Sequence, residues 1–265
     1  MHLSDRGLER LASGIQWVVP AFLLGFGIAI WEVLVRVRDT PAWMLPPPSA
    51  IGQSLIDDRA MLFEHTLSTA QAALIGFGIA FLVGVGSAIA ITSTPILERS
   101  LYPVIIATNA IPVIAIAPLL LIWFGYGLTP KIIVVALICF FPIAVNTIDG
   151  LRSVDREMVN LLRSLGASRW ATFRLVRFPM SLPYVFSGTR IAAAVSVIGA
   201  LVAEWVGSSS GLGYLMIRSA SQFLTDRVFA AIFIAALMGI MMFVAISLLE
   251  RWLLPWRRLE RERTP

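Results

Sequence analysis

Apolar residues along this chain gather into six windows, near Ile15–Val35, Leu67–Thr92, Leu101–Ile122, Lys131–Ile148, Gly188–Val206 and Val228–Leu249. Each is close to the roughly 20 residues that a helix needs to cross about 30 Å of hydrocarbon. The pattern therefore predicts an all-α polytopic membrane protein, one domain over 1–265 with about six spans. Turn chemistry fills the gaps. Pro46-Pro47-Pro48-Ser49 breaks the long first loop, and Ser49 is placed to cap a short helix running towards Phe63. Gly125, Gly127 and Pro130 predict a tight connection between spans three and four, and Ser208-Ser209-Ser210-Gly211 another after span five. Gly76, Gly78, Gly84 and Gly86 predict close helix approach along span two.

Span three departs from a plain helix. It contains Pro103, Pro112 and Pro118, with Thr108 and Asn109 between them. Each proline removes a backbone donor, and lipid supplies no replacement. The segment is predicted to face protein or a water-filled pathway, either as part of a transport site or as a kinked packing helix. Asn109 and Pro112 are candidates for the translocation path. A buried amide costs about 2–7 kcal/mol if left unpaired, so Asn109 must bond to a neighbouring helix or to a solute. Glu204, at the end of span five, is the third candidate, with a hydrogen-bonded structural role favoured for it. Trp205 reads as an interfacial belt residue, and Arg190 as a side chain that snorkels to the cytoplasmic surface.

Composition sharpens the class. Hydrophobic residues make up 58% of 265, charged residues 14%, and mean hydropathy is +0.83. Soluble domains carry about 25% charge, so this chain is built for lipid. The net charge of +5 suggests nucleic acid only until the arginines are located. Arg152, Arg156, Arg163, Arg169, Arg174 and Arg177 lie between spans four and five, against Asp155 and Glu157. Arg251, Arg257, Arg258, Arg261 and Arg263 follow span six, with Glu250, Glu260 and Glu262. The positive-inside rule places both segments in the cytoplasm, and six spans then bring the amino terminus to the same side. Asp39, Asp57, Asp58 and Glu64 outweigh Arg38 and Arg59 in the first loop, as an external loop requires. The first apolar window is read as a membrane helix, not a cleavable leader.

Catalytic chemistry finds little support. Cys139 is alone and is expected as a small buried hydrophobe; His2 and His65 are too far apart to suggest a local metal pair. No metal site is predicted. Lys131 is the single lysine and follows Pro130, so the chain has no Gly-Lys-Ser/Thr phosphate loop and cannot be its own ATP motor. A membrane enzyme would want a nucleophile–base constellation, and none is visible. An ion-coupled secondary transporter would want acids paired at mid-membrane, whereas Asp149 and Glu204 are peripheral.

The segment of about 150–187 carries most of the function. Met158, Leu161, Leu162 and Leu165 fall at i, i+3, i+4 and i+7 and predict one apolar stripe on a helix. Gly166 ends that helix, and Ser168 caps a second one bearing Trp170, Phe173 and Val176, with Pro179 and Pro183 closing the unit. Such an element docks on a partner or rests on the membrane surface.

The run Asn160-Leu161-Leu162-Arg163-Ser164-Leu165-Gly166-Ala167-Ser168, with Val176, Phe178 and Pro179 at the following spacing, resembles the cytoplasmic signature of ABC importer permeases. The Glu-Ala-Ala of that signature is replaced by Asn160-Leu161-Leu162. Ile111-Pro112 to Pro118, Trp123-Phe124-Gly125-Tyr126-Gly127, Ala203-Glu204-Trp205-Val206-Gly207 and Gly211-Leu212-Gly213-Tyr214-Leu215 resemble the branch importing sulfonates, taurine and nitrate. Relatives of that branch import a thiamine pyrimidine precursor or riboflavin-like compounds, and Ala117-Pro118-Leu119 leans towards these. The resemblance, roughly Thr66 to Trp252, implies a type I ABC importer-like bundle in the inner membrane. It implies a pore of two permease copies, cytoplasmic ATPase subunits holding ATP and magnesium, and a periplasmic or lipid-anchored substrate-binding protein. The residues implied to couple to the ATPase are Asn160, Leu161, Arg163, Leu165, Gly166, Ala167 and Ser168.

Overall fold

The computed structural model describes residues 5–255, with side chains from 19 onward except at 21. His2, Arg257, Arg258, Glu260, Arg261, Glu262 and Arg263 lie outside the described residues. In chain order the helices are α1 (Asp5–Val37), α2 (Pro48–Asp57), α3 (Arg59–Ile91), α4 (Pro95–Thr108), α5 (Val113–Phe124) and α6 (Leu128–Arg152). They continue with α7 (Arg156–Ser164), α8 (Arg169–Thr172), a π-helical turn (Phe173–Arg177), α9 (Phe178–Gly207), α10 (Leu212–Ser221) and α11 (Thr225–Leu253). All six apolar windows fall on helices. Among the described residues α3, α6, the continuous rod Arg169–Gly207 and α11 are each long and apolar enough to cross a membrane. α4 and α5 form a pair bent by 88°, which would make a fifth span.

The chain divides into two compact units, Met1–Ala60 with Arg218–Ala230, and Met61–Ile217 with Ala231–Pro265. In the first, Ser49 does not cap α2. Pro47 takes the cap position with Pro48 in the first turn, where a missing N–H costs nothing. Ser49 instead donates from its backbone and its hydroxyl to Glu32, at 3.0 and 2.8 Å. The helix stops at Asp57, and Phe63 belongs to α3. Arg227 grips Asp58 with two nitrogens, both at 2.8 Å, and Thr225 donates to the Trp43 carbonyl at 2.6 Å.

The core of the second unit depends on small residues. α6 and α9 meet where Cys139 donates to the Ala192 carbonyl at 3.3 Å, and Ala192, Ala193 and Ala200 of α9 are fully buried. A Cβ on Gly150 would lie 2.6 Å from the Tyr184 Cβ, so glycine sets that approach. On α3, Gly76 faces Val135 and Gly84 faces Ile143, eight residues apart on one stripe. Gly78 and Gly86 face open space, because they stand on the other side of the same helix. Close packing of small residues is how membrane helices associate without a hydrophobic drive.

Two further expectations are corrected here. Pro179 and Pro183 do not interrupt the chain's helix, and the helix that carries the fifth window begins well before Gly188. The turn Phe173–Arg177 widens to i→i+5 bonding, with the Phe178 N–H reaching the Phe173 carbonyl, and the helix runs through both prolines to Gly207. Arg190, well inside that rod, pairs with Glu250 of α11 at 3.2 Å. Glu250 is thereby held against α9 by a half-buried ion pair within α11.

Candidate functional site

Three constructions in the second unit bear on function. The first is the α7–α8 element. Asp155 caps α7 by accepting from the Glu157 N–H at 2.8 Å. At the other end Gly166 N–H reaches Arg163 O at 3.0 Å and Ala167 N–H reaches Leu162 O at 3.0 Å, the paired bonds of a Schellman motif. Gly166 sits at φ +82°, with nothing near the place a Cβ would occupy. The glycine is required by backbone conformation alone. Ser168 Oγ then accepts from the Ala171 N–H at 3.1 Å to start α8, and Trp170 stacks on Phe173 at 5.6 Å. Asn160, Leu161, Arg163, Leu165, Gly166, Ala167 and Ser168 thus share one helix–turn–helix. Its apolar stripe has no cover: Leu161 is 61% exposed, Leu165 76% and Trp170 67%. Burial of such side chains stabilises by about 1.5–3 kcal/mol each, so the face favours a partner or an interface.

The second is the break in span three. α4 ends at Thr108, Asn109 holds the C-cap, and α5 starts after Pro112 in an extended conformation. Asn109 and Pro112 are both exposed at the bend. Thr108 folds its hydroxyl back onto Ile105 O at 2.7 Å, supplying one of the donors that the interrupted helix lacks.

The third surrounds Glu204, which is 2% exposed and so does not share a surface with Asn109 and Pro112. Its carboxylate receives the Thr69 hydroxyl at 3.0 Å, Lys131 Nζ at 3.4 Å and the Gly213 N–H at 2.8 Å. Lys131 also donates to the Ser210 carbonyl at 2.7 Å and to Ser68 Oγ at 3.3 Å. Leu212 N–H reaches Thr69 Oγ1 at 2.8 Å, and Gly211 N–H reaches His65 Nδ1 at 3.0 Å. The loop 208–213 is therefore clasped by α3, α6 and α9. Gly211 lies at φ +113°, and a Cβ there would collide with the Glu204 carboxylate. The backbone can lie on the acid only because that position is glycine. Sequence reading weighed Glu204 but missed Lys131 and Thr69 as its partners, and Ser210 as a partner of the lysine. The available signal was a lone lysine opening an apolar window, which requires a buried counter-charge.

Comparison with known proteins places these features in a lineage. A family model described as binding-protein-dependent transport system inner membrane component matches residues 76–258. The formylaminopyrimidine transport permease protein ThiX of Halalkalibacterium halodurans is 40% identical over 92% of this chain and 97% of its own. The riboflavin transport system permease protein RibX of Chloroflexus aurantiacus is 38% identical over 86% of each chain. The taurine transport system permease protein TauC of Escherichia coli is 30% identical, again over 86% of each. Among solved structures, a chain of an amino acid ABC transporter superposes with a TM-score of 0.61 at 19% identity, covering 75% of this chain and 97% of that one.

Proposed function

This chain belongs to the binding-protein-dependent transport system inner membrane components, and from that premise we propose that it is the pore-forming half of an ATP-driven importer. Two copies form the pore, with the whole of each chain acting as one permease domain. Cytoplasmic ATPase subunits, holding ATP and magnesium, receive the α7–α8 element, and an external binding protein delivers the solute. Both termini are cytoplasmic, in keeping with the arginine distribution. The observation that carries the reading is the Gly166-hinged helix pair with Leu161, Leu165 and Trp170 exposed. An apolar face with a rigid capped turn is what a groove on a moving motor subunit needs to transmit force. The solute class we favour is a small planar heteroaromatic compound, since the permeases named for formylaminopyrimidine and riboflavin are 40% and 38% identical to this chain. Sulfonates remain the second class, through relatives such as the taurine permease. The carboxylate of Glu204 is engaged by Lys131 and Gly213, which weighs against its use as an ion-coupling acid.

The test is capture of the affinity-tagged permease from native membranes in mild detergent. An ATPase recovered at about one copy per permease supports the proposal, and a co-purifying binding protein supplies the solute to assay. A permease recovered alone, even after cross-linking, overturns it.

A further inference from the structure

A cavity of about 650 Å³ opens between the α7–α8 element and the turn joining α3 to α4. Arg163, Arg169 and Arg177 line it, together with Trp170, Thr94 and Glu98. Glu98 does not neutralise the arginines, because Arg152 holds its carboxylate at 2.7 Å, and the Arg152 guanidinium also lies 4.0 Å over the Tyr102 ring. Among the described residues, ion pairs engage Arg36, Arg152, Arg190 and Arg227, and none engages the three arginines of the cavity. Arg177 is fixed in place by donating to the Leu151 carbonyl at 3.2 Å. The wall beside this charge is apolar, formed by Trp170 stacked on Phe173. A guanidinium group matches phosphate oxygens in a planar fork, and the volume suits a small organic ligand.

We propose that this cavity binds a phosphate ester, its phosphate held by Arg163, Arg169 and Arg177 and its organic part packed on Trp170. Two sources share that chemistry: the headgroup of an anionic phospholipid, or a soluble aromatic phosphate monoester. Bound there, the ligand bridges the α7–α8 element to the α3–α4 turn and stiffens the unit that carries the exposed stripe. The cavity forms within this chain alone, and because Trp170 belongs both to its wall and to the exposed stripe, a partner seated on Trp170 would close one side of the site.

The experiment is titration of the purified full-length permease in neutral detergent, followed by native mass spectrometry. Phosphatidylglycerol, phosphatidylcholine and phenyl phosphate are the probes. One discrete adduct is expected with phosphatidylglycerol and none with phosphatidylcholine if the source is lipid. An adduct with phenyl phosphate alone identifies the soluble ester. In either case the double variant Arg163→Gln, Arg169→Gln should bind at least tenfold more weakly, and Arg163→Lys with Arg169→Lys, which keeps the charge but not the planar fork, should recover part of that loss. Trp170→Ala leaves the charges intact and should weaken binding by a few fold; it serves if the double variant does not fold. Absence of any adduct, or binding equal to wild type by both the Arg163→Gln, Arg169→Gln double variant and Trp170→Ala, overturns the proposal. Because no ATPase is present, neither result bears on the docking of a motor subunit.

Discussion

Lys131 and Glu204 form an ion pair out of reach of water, at 4% and 2% exposure, with each remaining polar atom taken by Thr69, Gly213, Ser68 or Ser210. Removing one partner of such a pair strands the other charge, at a cost of about 3–5 kcal/mol. Lys131→Met should therefore lower the thermal unfolding temperature in detergent sharply. Adding Glu204→Gln to that background should restore much of the loss, because the stranded charge is gone. A double variant no better than Lys131→Met would show that the clasp does not act as a pair. At Gly211 even a methyl group is refused, by the φ of +113° and by the carboxylate beneath it, so Gly211→Ala should be as harmful as losing the lysine. A charge outside the spans gives a pH signature. The Arg227 hydrogen bond holds the Asp58 carboxyl below its ordinary 3.8, with Ser54 adding to the effect and partial burial opposing it. A carboxyl with a lowered folded pKa contributes stability that is present above the unfolded value and lost as pH falls through the folded one. Melting temperature should thus fall as the solution is acidified below about pH 4, and Asp58→Asn should flatten that part of the profile.

At the scale of elements, legibility followed how local the determining chemistry is. Gly166 and Ser168 were readable because a left-handed C-cap and a hydroxyl N-cap depend on neighbours one to four residues away. Ser49 misled for an equally local reason: Pro47 and Pro48 already supply a helix start, which frees Ser49 for Glu32. The prolines at 179 and 183 were read as stops, but a preceding π turn and a membrane-length rod carried the helix through them. The hinge itself can be tested. Gly166→Val puts a β-branched residue at φ +82°, where each non-glycine residue is strained by roughly 1–2 kcal/mol. Solute uptake by the reconstituted importer should be lost while permease abundance in the membrane stays near wild type. Uptake at the wild-type rate would mean that the α7–α8 geometry is not what transmits motion.

The whole molecule adds what spacing along the chain does not carry. Lys131 and Glu204 stand 73 residues apart, and nothing in either neighbourhood names the other. Likewise Gly76 and Gly78 look equivalent in sequence, and only the position of α6 separates a packing glycine from an open one. The same limit applies to the break in span three, whose existence was legible from three prolines but whose exposure at Asn109 and Pro112 was not. In one chain the break is open; in the proposed pore of two copies it would meet either a neighbouring helix or the solute. The two cases separate under one substitution. Asn109→Leu removes the amide and keeps the size. If the break lines the pathway, uptake should fall at least severalfold while the melting temperature and basal ATP hydrolysis of the assembled importer hold. If Asn109 ties helices together, the melting temperature should drop with uptake, because a buried partner loses its hydrogen bond at about 1–3 kcal/mol. Unchanged uptake and unchanged melting would remove Asn109 from the path and leave the bend to packing.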